Sequence, residues 1–323
     1  MAQIEYRTLG RSGLVVSTIG LGCNNFGRAD SATATQEGTD AVIAAAIDAG
    51  VTLFDTADTY GRERGLSETL MGNSLKGVRD QVVLATKFGN DMQGANGPDW
   101  GARGSRRYVR RAVEASLRRL QTDWIDLYQL HTPDRITPIE ETLDVLDDLI
   151  AEGKVRYIGH SNLTGWQIAE AEYEAVLHGH PRFVSAQNDY NLLARGAERE
   201  VLPAANRYGL GFLPFFPLQN GLLTGKFTRE GGPADSRIMQ QRRSILDGAP
   251  WELLDAYQAF CAERGITMLE ATFGWLLAQP GLSSVIAGAT RPEQVRANAA
   301  AAVAWHPSAE DVAAIAELFA AYV

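Results

Sequence analysis

The chain has 323 residues, 45% of them apolar and 21% charged, with a formal net charge of −9. That acidic balance argues against a binder of nucleic-acid backbones, which needs a basic surface. No apolar run is long enough to span a bilayer, the opening MAQIEYRTLG lacks a signal peptide's apolar stretch, and the only cysteines, Cys23 and Cys261, form no disulfide framework. A soluble cytoplasmic protein is expected.

Along the chain, short apolar runs alternate with helical patterns. STIGLG (17–22) is the first predicted strand, followed by a helical stretch from Thr35 to Ala49 with Val42, Ala46 and Ala49 on one side. VTLFD (51–55) and QVVLATKF (81–88) are the next strands. SRRYVRRAVEASLRRL (105–120) carries an apolar stripe of Val109, Val113, Leu117 and Leu120, which leaves its arginines outside. A solvated helix accounts for this basic run better than a nucleic-acid patch. IDLYQLH (125–131) is a strand, and Pro138 to Ala151 is a helix with Leu143, Leu146 and Ile150 as its stripe, stopped by Gly153. KVRYIGHS (154–161), FVSAQN (183–188), GLGFLPFF (209–216) and SSVIAG (283–288) complete the set. His178 and His180 in LHGHP have no third ligand nearby, and no metal is expected.

Eight strands with mostly helical connections predict a parallel sheet, and eight is the number that closes a (β/α)8 TIM barrel. No composition break splits the chain, so one domain over 1–323 is expected. The stretch from Pro217 to Pro250 is too long for an ordinary connection and is expected to be a functional loop.

Barrel enzymes carry their sites at the C-terminal strand ends. Those ends read Asp55 (followed by Tyr60), Lys87, His131, Ser161 and Asn162, Gln187, Phe215 and Gly288. Each has a plainer use when taken alone: Asp55 as a cap, Lys87 as a surface cation, His131 as a core histidine. Together they suit a proton donor for carbonyl reduction. A phenol of pKa near ~10 is a poor acid at neutral pH, and an adjacent ammonium lowers it. Asp55 could hold that ammonium, and a histidine could orient a carbonyl.

The motifs FDTADTYG, ATKFG and QLHTPD resemble those of the aldo-keto reductase family, and the similarity runs from YRTLGRSGLVVSTIGLG to GATRPEQVRAN at 288–298. The resemblance implies a catalytic tetrad of Asp55, Tyr60, Lys87 and His131, a (β/α)8 barrel, and NADPH/NADP+ bound without a Rossmann domain. GLGCNNFG (20–27) does miss the dinucleotide fingerprint, and GLLTGKF lacks a spacer and a hydroxyl that a nucleotide-triphosphate loop requires. The same resemblance implies cofactor contacts from Gly22, Cys23, Asp55 and Gly288, and from Ser161, Asn162 and Gln187 on the carboxamide. Phe215 would stack on the nicotinamide. Pro217, Leu218, Gly221, Leu222 and Lys226 would lie along the pyrophosphate, with Ser236 and Arg237 as a clamp. Phe216 departs from the family pattern, which has a small hydroxyl residue there.

Thr290 is a good helix N-cap with Pro292 in the first turn, and Arg291, Gln294 and Asn298 share one helix face. That face could take a phosphate and an adenine, or be an ordinary capped surface helix. The resemblance implies the 2′-phosphate site, which would favour NADP over NAD.

The expected activity is reduction of aldehydes and ketones with Tyr60 as proton donor. The alternatives are an NADP-linked sugar or alcohol dehydrogenase and a cofactor-sensing regulatory subunit like the potassium-channel β subunits. The expected partner is a small carbonyl or alcohol substrate, with neither nucleic acid nor membrane. Pocket walls are expected from Asn24–Arg28, Met92–Trp100 and Pro217–Pro250, with Phe26 and Trp100 as apolar parts. The sequence names neither the substrate nor the oligomeric state.

Overall fold

The structure is a computed structural model that describes residues 4–234 and 236–323. A short antiparallel hairpin, β1 (Tyr6–Thr8) and β2 (Val15–Ser17), precedes the barrel. Eight parallel strands follow: β3 (Ile19–Gly22), β4 (Leu53–Asp55), β5 (Val83–Phe88), β6 (Ile125–Leu130), β7 (Val155–Ser161), β8 (Ser185–Gln187), β9 (Gly211–Phe212) and β10 (Val285–Gly288). They are neighbours in chain order, and β10 pairs with β3. The ring closes where Phe212 bridges Leu282 and the Ile286 amide donates to the Pro214 carbonyl at 3.2 Å. This is the predicted (β/α)8 barrel. The strands are shorter than the apolar runs that announced them, because the residues at either end of each run belong to the loops.

The outer ring begins with α1 (Gln36–Asp48), α2 (Leu66–Ser74), α3 (Arg106–Leu120), α4 (Ile139–Ala151), α5 (Gly165–His178) and α6 (Val201–Tyr208). The expected loop after β9 holds a 3-10 segment (Gln219–Thr224) and two short helices, α7 (Arg237–Gln241) and α8 (Arg243–Asp247). It is followed by α9 (Trp251–Glu263) and α10 (Met268–Leu277), and α11 (Pro292–Ala304) and α12 (Ala309–Leu318) come after β10. Thr35 caps α1 and Ser105 caps α3, each side chain accepting a first-turn amide. The stripe of α3 is buried, while Arg106 and Arg110 reach across to Asp144 and Asp148 on α4 and to Glu152, its C-cap. His178 and His180 pair with Glu174 and Asp147.

Strand alternation decides what faces the lumen. Phe54, Leu84, Tyr128, Ile158 and Ala186 point outward into the core beneath the helices. Leu53, Ala85, Leu127, Leu213 and Ile286 point inward and pack with Leu9, Leu14 and Val16 of the hairpin. The hairpin thus plugs the N-terminal end with apolar side chains. Two residues further along the strands, roughly 6.6 Å higher, the inward positions turn polar: Asp55, Lys87, Gln129 and, two beyond, His131, with Ser161 and Gln187 across the ring.

On the outward side of β7, His160 is fully buried edge-on against Phe183, with no partner for either ring nitrogen. Burial lowers its pKa to about 3. The folded chain therefore holds this imidazole neutral while the unfolded chain protonates it below ~6.5. The stability tied to that difference is complete above ~6.5 and declines toward about 3 as the pH falls. Between pH 6.5 and 5, urea unfolding should show wild type losing about 2 kcal/mol relative to His160→Phe. An unchanged difference between the two proteins would mean that the imidazole is not held neutral.

Candidate active site

Register brings the strand-end residues together. Gly22 pairs with Asp55, Lys87 with Gln129, and Ser161 with Gln187. The His131 amide donates to the Phe88 carbonyl at 2.8 Å, extending the ladder one residue and turning the imidazole inward. Lys87 is fully buried. Its Nζ donates to Asp55 Oδ1 and Oδ2 at 2.8 and 2.7 Å and to the Thr56 carbonyl at 2.8 Å. Asp55 also accepts from Gln187 Nε2 at 2.9 Å and Gln129 Nε2 at 3.2 Å. A buried charge pair is more tolerable when neighbouring groups also hydrogen-bond it, as the two glutamines do at Asp55 Oδ1.

Tyr60 reaches the same point from the loop after β4. Its ring lies 5.3 Å from Lys87 Nζ and stands edge-on to His131, with ring centroids 5.7 Å apart. Burial by itself lowers an ammonium pKa, but Asp55 and the phenol outweigh it and raise that of Lys87. Burial and then the Lys87 charge hold His131 well below its ordinary value, so it is a neutral imidazole. The phenol differs from expectation: desolvation lifts its pKa above the usual value, Asp55 adds to the rise, and the opposing pull of Lys87 does not overcome them.

The two acids of FDTADTYG part company. Asp55 faces the lumen, whereas Asp58 turns outward and is fully buried toward α2 and α3. Asp58 Oδ2 accepts from Asn96 Nδ2 at 3.2 Å. Burial and then the charge of Glu68 raise its pKa well above the carboxylate range. Glu68 accepts from Thr86 Oγ1 at 2.6 Å and pairs with Arg119 Nε at 2.7 Å. One arginine of the basic run therefore leaves the solvated face and braces the wall behind β5. Backbone bonds from the Asp58 amide to the Lys87 carbonyl and from the Ser67 amide to the Tyr60 carbonyl fix the intervening loop.

Ser161, Asn162 and Gln187 meet on the opposite rim. Asn162 is in the left-handed region (φ 62°), and its Nδ2 donates to the His131 carbonyl at 2.9 Å and to Ser161 Oγ at 3.0 Å. Phe215 is half-buried at the mouth and packs edge-on against Phe216, centroids 5.2 Å apart. Phe216 is itself left-handed (φ 53°), a strained setting for an aromatic residue. Of the expected apolar walls, Phe26 is fully buried in the core, so it presents no exposed surface at the mouth. Trp100 is 71% exposed and stacks under Arg107.

Several groups at the mouth fit a dinucleotide. A Cβ on Gly22 or Gly288 would crowd Ile286 or Asn25, so both glycines keep the rim open. Arg237 follows the N-cap Ser236 and has a buried Nε without a hydrogen-bond partner. Gly221 has φ 106°, and a Cβ there would sit 3.0 Å from the Lys226 side chain. Cys23 is buried beneath this rim. Pro217 is buried, while Leu218 is only partly covered.

At α11 the cap differs from expectation. Arg291 is the N-cap with Pro292 at the first helical position, and Thr290 precedes them. The reason is that Gln294 Oε1 folds back to accept from the Thr290 amide at 2.8 Å, so the turn begins one residue later. Exposure falls along the shared face, from Arg291 in solvent through Gln294 to the buried Asn298.

The aldo/keto reductase family model matches residues 18–320. The chain belongs to the aldo/keto reductase family. Its relatives include an uncharacterized oxidoreductase, YrpG, of Bacillus subtilis (strain 168), 38% identical and covering 91% of this chain and 89% of the relative. L-glyceraldehyde 3-phosphate reductase of Escherichia coli (strain K12) is 32% identical, covering 92% and 87%. A probable voltage-gated potassium channel subunit beta of Oryza sativa subsp. japonica is 34% identical, covering 91% and 90%. Aldo/keto reductases are oxidoreductases that generally use NAD(P)H.

Gln129, which donates to Asp55, is the residue at this site that sequence reasoning missed. Its signal was present, as an amide two positions before His131 on the same inward face. Among the described residues, no helix is long and apolar enough to cross a membrane.

Proposed function

We propose that this aldo/keto reductase reduces aldehydes and ketones to alcohols with NADPH. The observation that supports it most is the convergence of Asp55, Lys87, Tyr60 and His131 at adjacent strand ends, with the ammonium locked by Asp55 beside the phenol. Bound NADPH supplies a hydride to the carbonyl carbon. Tyr60 gives its phenolic proton to the carbonyl oxygen. Lys87 stabilises the phenolate that remains, a charge that develops only as the reaction proceeds, where fixed charges act most strongly. Neutral His131 offers an N–H that orients the carbonyl oxygen beside Tyr60. Asp55, held by two glutamines, keeps the ammonium in place and charged.

Ser161, Asn162, Gln187 and Phe215 are the proposed nicotinamide contacts. Gly22, Cys23, Gly288, Pro217, Leu218, Gly221, Lys226 and Arg237 are proposed along the rest of the cofactor. Arg291, Gln294 and Asn298, with Thr290 before them, would take the adenosine end. An arginine at an exposed helix start favours a 2′-phosphate through a forked, charge-assisted contact. Arg291→Ala should weaken NADPH binding about tenfold or more and leave NADH binding unchanged, as read by fluorescence titration. Equal losses for both cofactors would remove the 2′-phosphate assignment. The two buried free cysteines suit a reducing compartment, and the cytoplasm is the proposed location.

The direct test is NADPH oxidation by the purified protein against aldehydes, ketones and aldoses, including glyceraldehyde 3-phosphate. Turnover is expected. The relative named as a channel subunit favours a second reading as a cofactor-binding regulatory protein. Tight NADPH binding without turnover of any carbonyl, or of any alcohol with NADP+, would establish that one instead.

A further inference from the structure

One helix of the outer ring has two apolar faces. In α5, Ile168, Ala171 and Ala175 are buried and join the core beneath the helices. At 3.6 residues per turn, Trp166, Tyr173 and Leu177 fall in one narrow stripe on the opposite side, with Val176 on its flank. These four side chains are 62–74% exposed. Among the described residues, every other helix keeps its large apolar side chains at least partly covered. Tyr173 does touch Tyr208 of α6 edge-on, with centroids 6.5 Å apart, but most of its surface faces water. A helix that is apolar all round is normally covered on both sides.

The patch is large enough to matter. Its four side chains expose on the order of 500 Å² per chain, a size that marks an interaction site. A stable interface takes roughly 800 Å² from each partner, with an apolar centre and a polar rim. The stripe supplies more than half of that, and it is the centre.

The pattern of the stripe says what covers it. Trp166, Glu170, Tyr173 and Leu177 follow one another at spacings of four, three and four residues, which read the same in both directions. A two-fold axis through the midpoint, with the helices antiparallel, lays the stripe on itself. Trp166 then meets Leu177 of a second copy. Glu170, the one charge in the stripe, meets the hydroxyl of Tyr173, which can donate to it. A parallel crossing would instead set Glu170 against Glu170. Self-complementarity of this kind is what an isologous dimer requires. A membrane surface suits the face poorly, because the charges on this helix are Glu170, Glu172 and Glu174 rather than lysines and arginines.

We infer that the chain forms a two-fold homodimer through antiparallel packing of α5 on α5. Trp166 lies four residues past Asn162, whose Nδ2 holds the His131 carbonyl. The contact therefore grips the start of the helix that follows the rim of the active site.

Sedimentation velocity of the full chain tests this. Wild type should run at twice the 35.1 kDa of one chain. Leu177→Glu and Trp166→Lys each put a charge into the apolar contact, and each should weaken association about a hundredfold or more. Both positions are exposed, so far-UV circular dichroism should not change. An equal mixture of the two variants should associate again. Lys at 166 of one copy then faces Glu at 177 of the other, while the second contact stays Trp166 on Leu177. Wild type that stays monomeric up to about 100 µM, beyond the micromolar end for interfaces of this size, would overturn the inference. Binding of that monomer to phosphatidylcholine vesicles would give the face to lipid instead. A dimer that survives both substitutions would place the interface elsewhere, and a mixture that stays monomeric would overturn the antiparallel arrangement. The wild-type measurement depends on no variant folding.

Discussion

Tyr60→Phe is expected to lower kcat by about 10²–10⁴-fold while leaving the Kd for NADPH unchanged. The change removes one oxygen from a ring whose packing against His131 and Lys87 is otherwise preserved. The protonated phenol is the acid that this geometry offers to a carbonyl. His131 is held neutral, and the Lys87 ammonium is held charged by Asp55 and donates to Asp55 and Thr56. Steady-state rates and a fluorescence titration of NADPH check both halves, and near-wild-type turnover would remove Tyr60 from the mechanism. Because burial keeps the phenol above its ordinary pKa, reductive turnover in wild type should not fall through loss of this proton anywhere below about pH 10.

Lys87→Met should act on stability as well as turnover. Breaking a buried ion pair by removing one partner leaves the other charge uncompensated, at a cost of about 3–5 kcal/mol. Asp55 would keep only the amides of Gln129 and Gln187. Combining Asp55→Asn with Lys87→Met removes both charges and should restore much of the stability, since neutral replacements of buried pairs are often tolerated. Activity should stay lost in both proteins. Urea denaturation alongside NADPH oxidation separates the two effects, and a fully stable single variant would show that the pair is not coupled as its geometry implies.

Much of this was legible in the sequence, for identifiable reasons. Parallel strands covered on both faces leave continuous apolar runs, so all eight were visible and only their ends were misjudged. The convergence of Asp55, Lys87 and His131 could be read because they end consecutive strands, where a barrel gathers them. Gln129 was harder, since an amide inside an apolar strand shows its use only when its partner, Asp55, is known. Asp58, Glu68 and Arg119 were harder still. They come from a loop and two helices, and nothing in their spacing says that they meet behind β5. The sign of the Tyr60 shift was also hidden, because residue types reveal the neighbouring lysine but not the degree of desolvation. The start of α11 was displaced by a single local bond from Gln294, a competition between caps that propensity alone does not settle.

The apolar stopper made by Leu9, Leu14 and Val16 has a kinetic consequence. With its lower end sealed by hydrocarbon, the lumen is a blind well, and traffic in both directions uses one opening. Whatever seats deeper must enter first and depart last. The proton that Tyr60 gives up has no path through the floor, so each turnover must be recharged from the side on which reactant and product exchange. Anything that narrows the mouth would slow reprotonation and product escape together.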